Sequence, residues 1–286
     1  MEFYEIVLIL LAGVGAGAIN AAVGSGTLIT FPALVAFGVP PVSATMSNAL
    51  GLIPGNIASS FGYREEIRGQ GKRLLKLLPA SLLGSLVGAY LLLHLPEDTF
   101  ESVVPVLILV ALVLVIGQPM LQRALNRKKL KDAQGQPGVP AGTDAAGTDA
   151  AGAGPAAVGD GIAPLAPGRA LVVGLIVFAT AIYGGYFAAA QGIILVGLLG
   201  LVLSDSIQRL NGAKNVLVLV VNITSATVYS IVGFDRISWL SVLLIAIGSL
   251  VGGYAGARVS RRLSPVLLRT VIVVLGLVAF FRILTM

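Results

Sequence analysis

The 286-residue sequence contains no cysteine and a single histidine. The first absence excludes disulfides and thiolate metal sites outright. With one histidine, no cysteine and no paired carboxylates inside its apolar stretches, the chain offers no constellation for acid–base or nucleophilic catalysis, so it reads as a non-enzyme needing no cofactor and no metal. Charge is scarce as well: only 11% of residues are charged, against about 25% in a soluble domain. Apolar residues fill the gap, at 56% of the chain and a mean hydropathy of +0.95. Charge-free stretches of roughly 20 residues recur, the length that crosses a hydrocarbon core of about 30 Å as a helix. The residues before Val23 begin with Glu2 and Glu5 rather than a basic region and show no clear small-residue cleavage site, so this stretch is expected to be a retained span. The composition is that of an integral membrane protein whose surroundings are the lipid bilayer.

The net charge of +6 would point to nucleic acid in a soluble protein; here its placement explains it. Basic residues gather at Arg64–Lys76, at Arg123–Lys131 and at Arg258–Arg262, while Glu97, Asp98 and Glu101 form an acidic turn between the first two groups. The positive-inside rule puts the basic loops in the cytoplasm and the acidic turn outside, in a multi-pass protein of the cell membrane. No nucleic-acid partner is needed to account for these charges.

Ten apolar segments follow, at 3–23, 27–38, 42–62, 75–95 and 102–121, then at 170–189, 192–203, 207–232, 239–257 and 265–284. Each is expected to be helical, because an open-ended backbone in lipid must satisfy its own polar groups. Segments 27–38 and 192–203 are too short to cross, since 12 helical residues reach only about 18 Å, and both follow breaks, "GSG" at 24–26 and "AAAQG" at 188–192. Residues 122–168 are Ala/Gly/Pro/Asp-rich with a stuttered "TDAAG", which has little to bury and reads as a disordered cytoplasmic linker. The expected organisation is a first membrane repeat at 1–121, the linker at 122–168 and a second repeat at 169–286.

That the halves are repeats is written in the residues. "GSLVGAY" at 84–90 returns as "GSLVGGY" at 248–254, and Asn56 and Asn222 share a spacing of 166 with Gly26 and Gly192. Fixed-offset self-similarity is the mark of duplicated architecture. The charge bias of matching loops is opposite: "PEDTFES" is acidic, whereas its counterpart "ARVSRR" is basic. The fold expected is therefore all-α, with two inverted-topology repeats of about five helical segments each, including short broken helices, as in many secondary transporters. Gly84, Ser85 and Gly88 against Gly248, Ser249, Gly252 and Gly253 would let helices approach closely. The glycine-lined helices 75–95 and 239–257 can pack within one chain or between two, which leaves a homodimer open.

In such architectures an anion site lies near the midplane, at the ends of broken helices. Two polar stretches lie inside the apolar regions: residues 38–56, with Thr45, Ser47, Asn48 and Asn56, and residues 204–215, with Asp205, Arg209, Asn211, Lys214 and Asn215, followed by Asn222. At the offset of 166, Thr45 matches Asn211, Asn48 matches Lys214 and Asn56 matches Asn222. Asn48 and Asn56 share a helix face at a spacing of eight. Lys214 and Arg209 are the basic residues set away from loops and predicted span ends; an ionisable group at membrane depth is costly and reads as functional. Lys214 is a candidate contact for a small anion, and the rival reading has it snorkelling to the interface or pairing with Asp205. Ser25 and Gln191 at the breaks complete the candidates, Gly24, Gly26 and Gly192 supply the breaks themselves, and Asp205 is the one acidic candidate for coupling to an ion.

"GAGAINAAVGSGTLITFPALVAFGVPPVSATMSNALGLIPGNIASSFGYREEI" resembles the amino-terminal signature of the sulfite exporter TauE/SafE family, the 4-toluene sulfonate uptake permeases. The second half resembles the family's second repeat through its glycines near 184–192 and its "NGAKN"; where relatives are glycine-rich, it has "AAAQG". The resemblance implies a secondary transporter of sulfite, organosulfonates or related oxyanions, often outward, by alternating access with the anion bound between the repeats. Asparagine amides, hydroxyls, helix N-termini and one buried cation would suit a compact oxyanion. A carrier of another anion, a cation carrier and a non-transporting scaffold are the rivals. A cation carrier would call for intramembrane acids, and this sequence offers amides and basic groups.

Overall fold

A computed structural model describes residues 2–134 and 167–259 and, beyond them, Thr270, Val273, Val274, Gly276, Leu277 and Phe280, all helical. The remainder of the tenth expected segment and residues 135–166 of the expected linker lie outside the described residues. Among these residues the only regular structure is helix, with no strand. Six helices are long and apolar enough to cross a membrane: α1 (Phe3–Ala22), α6 (Gly71–His94), α7 (Glu97–Gln134), α8 (Pro167–Tyr186), α10 (Ile207–Val232) and α11 (Trp239–Val259). Two shorter apolar helices, α2 (Thr27–Ala36) and α9 (Gln191–Val202), sit where the short segments were expected. Helix α7 continues to Gln134, past the boundary expected at 121.

One expected helix is two. Segment 42–62 divides at Leu52 into α3 (Pro41–Gly51) and α4 (Ile53–Gly62), and a single turn, α5 (Arg64–Ile67), follows. Pro41 occupies the first turn of α3, where its missing N–H costs nothing. Pro54, in the first turn of α4, has no N–H to continue the ladder of α3. At the offset of 166 its counterpart is Val220, and α10 runs through unbroken.

The duplicated phrase forms two contacts. Helix α6 packs against α8, and α11 packs against α1, so in each case the phrase-bearing helix of one half lies on the first helix of the other. A methyl carbon on Gly185 would stand 3.0 Å from the Cα of Ser85, and one on Gly248 would stand 2.8 Å from the amide nitrogen of Val14. The hydroxyl of Ser249 donates to the carbonyl of Gly51 at 2.8 Å, and that of Ser81 donates to the carbonyl of Leu217 at 3.1 Å. Gly51 and Leu217 are 166 apart, so the two serines tie matching positions of α3 and α10 to the opposite half. Backbone-to-backbone approach of this kind is what small residues supply in lipid.

A methyl group on Gly252 would lie 2.7 Å from the carbonyl carbon of Val14, whereas one on Gly174 would meet nothing within 4 Å. Neither backbone at the first position can give way. Gly252→Ala is therefore expected to destabilise by about 1–3 kcal/mol and lower the thermal midpoint of the detergent-solubilised protein, with Gly174→Ala unchanged as the control.

Candidate functional site

The site grows from two interruptions in the backbone. The first joins α1 to α2 through Val23–Gly26, with Gly24 at φ +84°. The second joins α8 to α9 through Phe187–Ala190, with Ala188 at φ +63° and Ala190 at φ +59°. Alanine in this left-handed region is unusual and costs roughly 1–2 kcal/mol. The second break is braced: the Tyr183 hydroxyl donates to the Ala189 carbonyl, the Tyr229 hydroxyl donates to the Gly185 carbonyl, and Phe187 packs edge-on to Phe31 at 5.1 Å between ring centres.

The two breaks touch. The amide of Gly192 donates to the carbonyl of Gly24 at 3.1 Å. A methyl on either glycine would fall 2.6 Å from the Cα of the other, and the Cδ of Lys214 lies 3.1 Å from the one built on Gly24 and 2.8 Å from the one built on Gly192. The turn before α2 and the N-terminal end of α9 therefore meet beneath the stem of one lysine. Gly26 is in ordinary helical backbone; a methyl there would stand 3.0 Å from Cβ of Asn20, so its requirement is room.

Lys214 is 1% exposed and is the one charged residue buried among those described. Its ammonium donates to the carbonyls of Asn20 at 2.9 Å and Ala21 at 3.3 Å. These belong to the last turn of α1, where carbonyls lack helical partners and a cation meets the favourable end of the helix dipole. Lys214 therefore neither snorkels nor pairs with Asp205. Asp205 binds the guanidinium of Arg73 instead, and its Oδ1 lies 3.8 Å from Nε of Arg209. Arg73 also donates to Gln70, whose amide donates to the carbonyl of Arg209 at 2.9 Å. Asp205 and Arg209 thus belong to a clasp that joins the two halves at the start of α10.

The other candidates separate into bonded and unbonded groups. Asn48 is used up on α2: it donates to the Thr27 hydroxyl at 3.1 Å and accepts from the Thr30 hydroxyl. Thr45 donates to the carbonyl of Pro41 in its own helix at 3.0 Å. Ser47 accepts from the amide of Ser238 at 2.9 Å. Asn211 is half-buried on the first turns of α10. By contrast, Ser25 Oγ, Asn56 Nδ2, Gln191 Oε1, Asn215 Nδ2 and Asn222 Oδ1 are buried with no hydrogen-bond partner. Ser25 and Gln191 adjoin the touching glycines, Gln191 packs on Gly184, and Asn215 is next to Lys214.

Asn20 was not among the sequence candidates. Its carbonyl holds Lys214, its Nδ2 donates to Oδ1 of Asn56 at 2.5 Å, and its Oδ1 accepts from the amide of Gly26 at 3.5 Å. The bond to Asn56 leaves the Nδ2 of Asn56 unpaired. A signal was present, for an asparagine inside an apolar span just before a glycine break is expensive unless it has partners. His94, stacked on Tyr90 at 4.0 Å between ring centres, is exposed and takes no part.

The sequence profile described as "Sulfite exporter TauE/SafE" matches residues 9–283. The chain belongs to the TauE/SafE family. It is similar to "Probable membrane transporter protein ORF9" of a Sinorhizobium species, 28% identical over 41% of this chain and 44% of the relative. It is also similar to "Probable membrane transporter protein YfcA" of Escherichia coli K12, 30% identical over 33% of this chain and 35% of the relative. The matched stretches thus span less than half of either relative. No solved structure gives a significant match. With six helices long and apolar enough to cross a membrane, this TauE/SafE protein is a multi-pass membrane protein, and the contact between its two breaks is its candidate site.

The strain at the second break gives a test. Ala190→Gly removes the left-handed penalty and is expected to hold or raise the thermal midpoint, offset in part by about 0.4–1 kcal/mol of added chain entropy. Gly24→Ala meets both a positive φ and the Cα of Gly192, and should lower the midpoint by several degrees. A lower midpoint for Ala190→Gly would show that the alanine methyl packs more favourably than its backbone angle costs.

Proposed function

We propose that the protein is a secondary transporter of sulfur-containing oxyanions, sulfite or organosulfonates, binding the anion between its two halves and exposing it alternately to the two sides of the membrane. The observation that carries this reading is the buried Lys214, whose stem lies over the contact between Gly24 and Gly192 and whose ammonium rests on the last turn of α1, within a set of buried amide and hydroxyl groups that have no partner. Free N–H and O–H donors beside a fixed cation are what a compact oxyanion needs. Ser25, Asn56, Asn215 and Lys214 are the proposed ligands; the unpartnered atoms of Gln191 and Asn222 are amide oxygens, acceptors that do not serve an anion. Asn48, Thr45 and Ser47 act by fixing α2, α3 and α11.

The way the halves are joined supports alternating access. The opposite charge bias of their loops and the exchanged packing of α6 on α8 and α11 on α1 support two repeats of inverted topology, which rock against each other about a central site. With the basic loops in the cytoplasm, the Arg73–Asp205 clasp closes the cytoplasmic side. Asp205 serves there as a gate, not as a coupling carboxylate.

The test is uptake of a radiolabelled sulfonate into proteoliposomes by the wild type and by Lys214→Met, which keeps the stem and removes the charge. Saturable uptake that falls by roughly a hundredfold or more in the variant is expected, since a buried charge-assisted contact contributes several kcal/mol. Equal uptake by a folded variant would reduce Lys214 to a cap for α1, and no uptake by the wild type would remove sulfur oxyanions from the proposal.

A further inference from the structure

Charge balance at the site narrows the substrate beyond its chemical family. Lys214 is the only charged side chain that is buried among the described residues. The residues it touches, Asn20, Ala21, Gly24 and Gly192, are neutral. The unpartnered groups near it are a hydroxyl and amides. The remaining ionisable groups of the elements packed around α10 do not alter the sum at the centre. Glu66 of α5, Arg73 of α6, Asp205 and Arg209 lie at the start of α10, where Arg73 and Asp205 neutralise each other. Tyr183 and Tyr229 spend their hydroxyls as neutral donors to carbonyls, and Tyr186 packs on Phe100.

Helix ends cancel in the same way. Each break joins the C-terminus of one helix to the N-terminus of the next, α1 to α2 and α8 to α9. The partial charges of roughly −0.5 and +0.5 at such ends therefore enter in pairs, and the fixed charge of the site is that of one ammonium. A monovalent anion brings the total to zero. A divalent anion would leave one negative charge uncompensated, away from water, the arrangement that burial penalises most.

Resting on the oxyanion reading above, we infer that the site is matched to monovalent oxyanions: organosulfonates and singly protonated sulfite enter it, and divalent sulfate and fully deprotonated sulfite do not. Selectivity among tetrahedral and pyramidal sulfur oxyanions is then set by charge number before size.

The experiment uses the full chain in proteoliposomes loaded with a radiolabelled alkanesulfonate, which keeps one negative charge at every pH used. Unlabelled alkanesulfonate, sulfate and sulfite compete for it across the pH range in which sulfite exchanges its second proton. Self-competition by the alkanesulfonate reports any pH effect on the protein itself. The expected result is competition by alkanesulfonate at all pH values, competition by sulfite that weakens in proportion to its singly protonated fraction, and an affinity for sulfate roughly a hundredfold lower. Sulfate competing as well as the alkanesulfonate, or sulfite competing better as it deprotonates, would overturn the charge match and leave the oxyanion carrier standing. Absence of any alkanesulfonate or sulfite flux would overturn the carrier reading and this inference with it.

Discussion

The bond between the ammonium of Lys214 and the last carbonyls of α1 is the interaction on which the central architecture turns. A helix that stops inside a membrane leaves carbonyls without donors, and lipid has no water to replace them. Lys214 supplies the donors from a helix of the other half, 194 residues away in sequence. Once α1 can end at Ala22, the chain can reverse at Gly24, α2 can begin at the same depth, and Gly192 can approach. The lysine's own burial is made tolerable by those carbonyls, so the broken helix and the buried cation each depend on the other.

Much of the frame was legible because lipid leaves the backbone few options. Apolar length located the six long helices and the two short ones, and the repeated glycine phrase marked one helix of each close-packed pair without naming its partner. The division at Leu52 was missed although Pro54 was in plain view. In an apolar run containing asparagines the length of segment 42–62 outweighed a single missing N–H, and the comparison with Val220 would have shown which half must bend.

The site was legible as a list of residues rather than as an arrangement. Lys214, Asn56, Asn215, Ser25, Gln191 and Gly192 could be named because polar groups are conspicuous in apolar segments. Spacing along one helix could not reveal which of two similar asparagines is committed elsewhere: Asn48 spends both ends of its amide on α2, whereas Asn56 keeps one free because Asn20 takes the other. Nor could it show that Asp205 faces Arg73, a partner from the opposite half in a loop-proximal basic cluster that topology alone had seemed to explain. Alanines at 188 and 190 in left-handed backbone were equally silent, since glycine is the usual sign of such a turn.

The exchanged packing has a consequence for how the chain is made. Helix α1 emerges from the ribosome long before its partner α11, and the first helix of each half has its most extensive packing on a helix of the other. Insertion into the bilayer and assembly within it are therefore separated in time: α1 must wait in lipid, its glycine-lined face uncovered, while the rest of the chain is synthesised. Late, sequence-distant contacts of this kind are slow to form and expose sticky intermediates. The Ala/Gly/Pro-rich stretch between the halves lengthens that wait, because it must be synthesised before the second half arrives to claim the first.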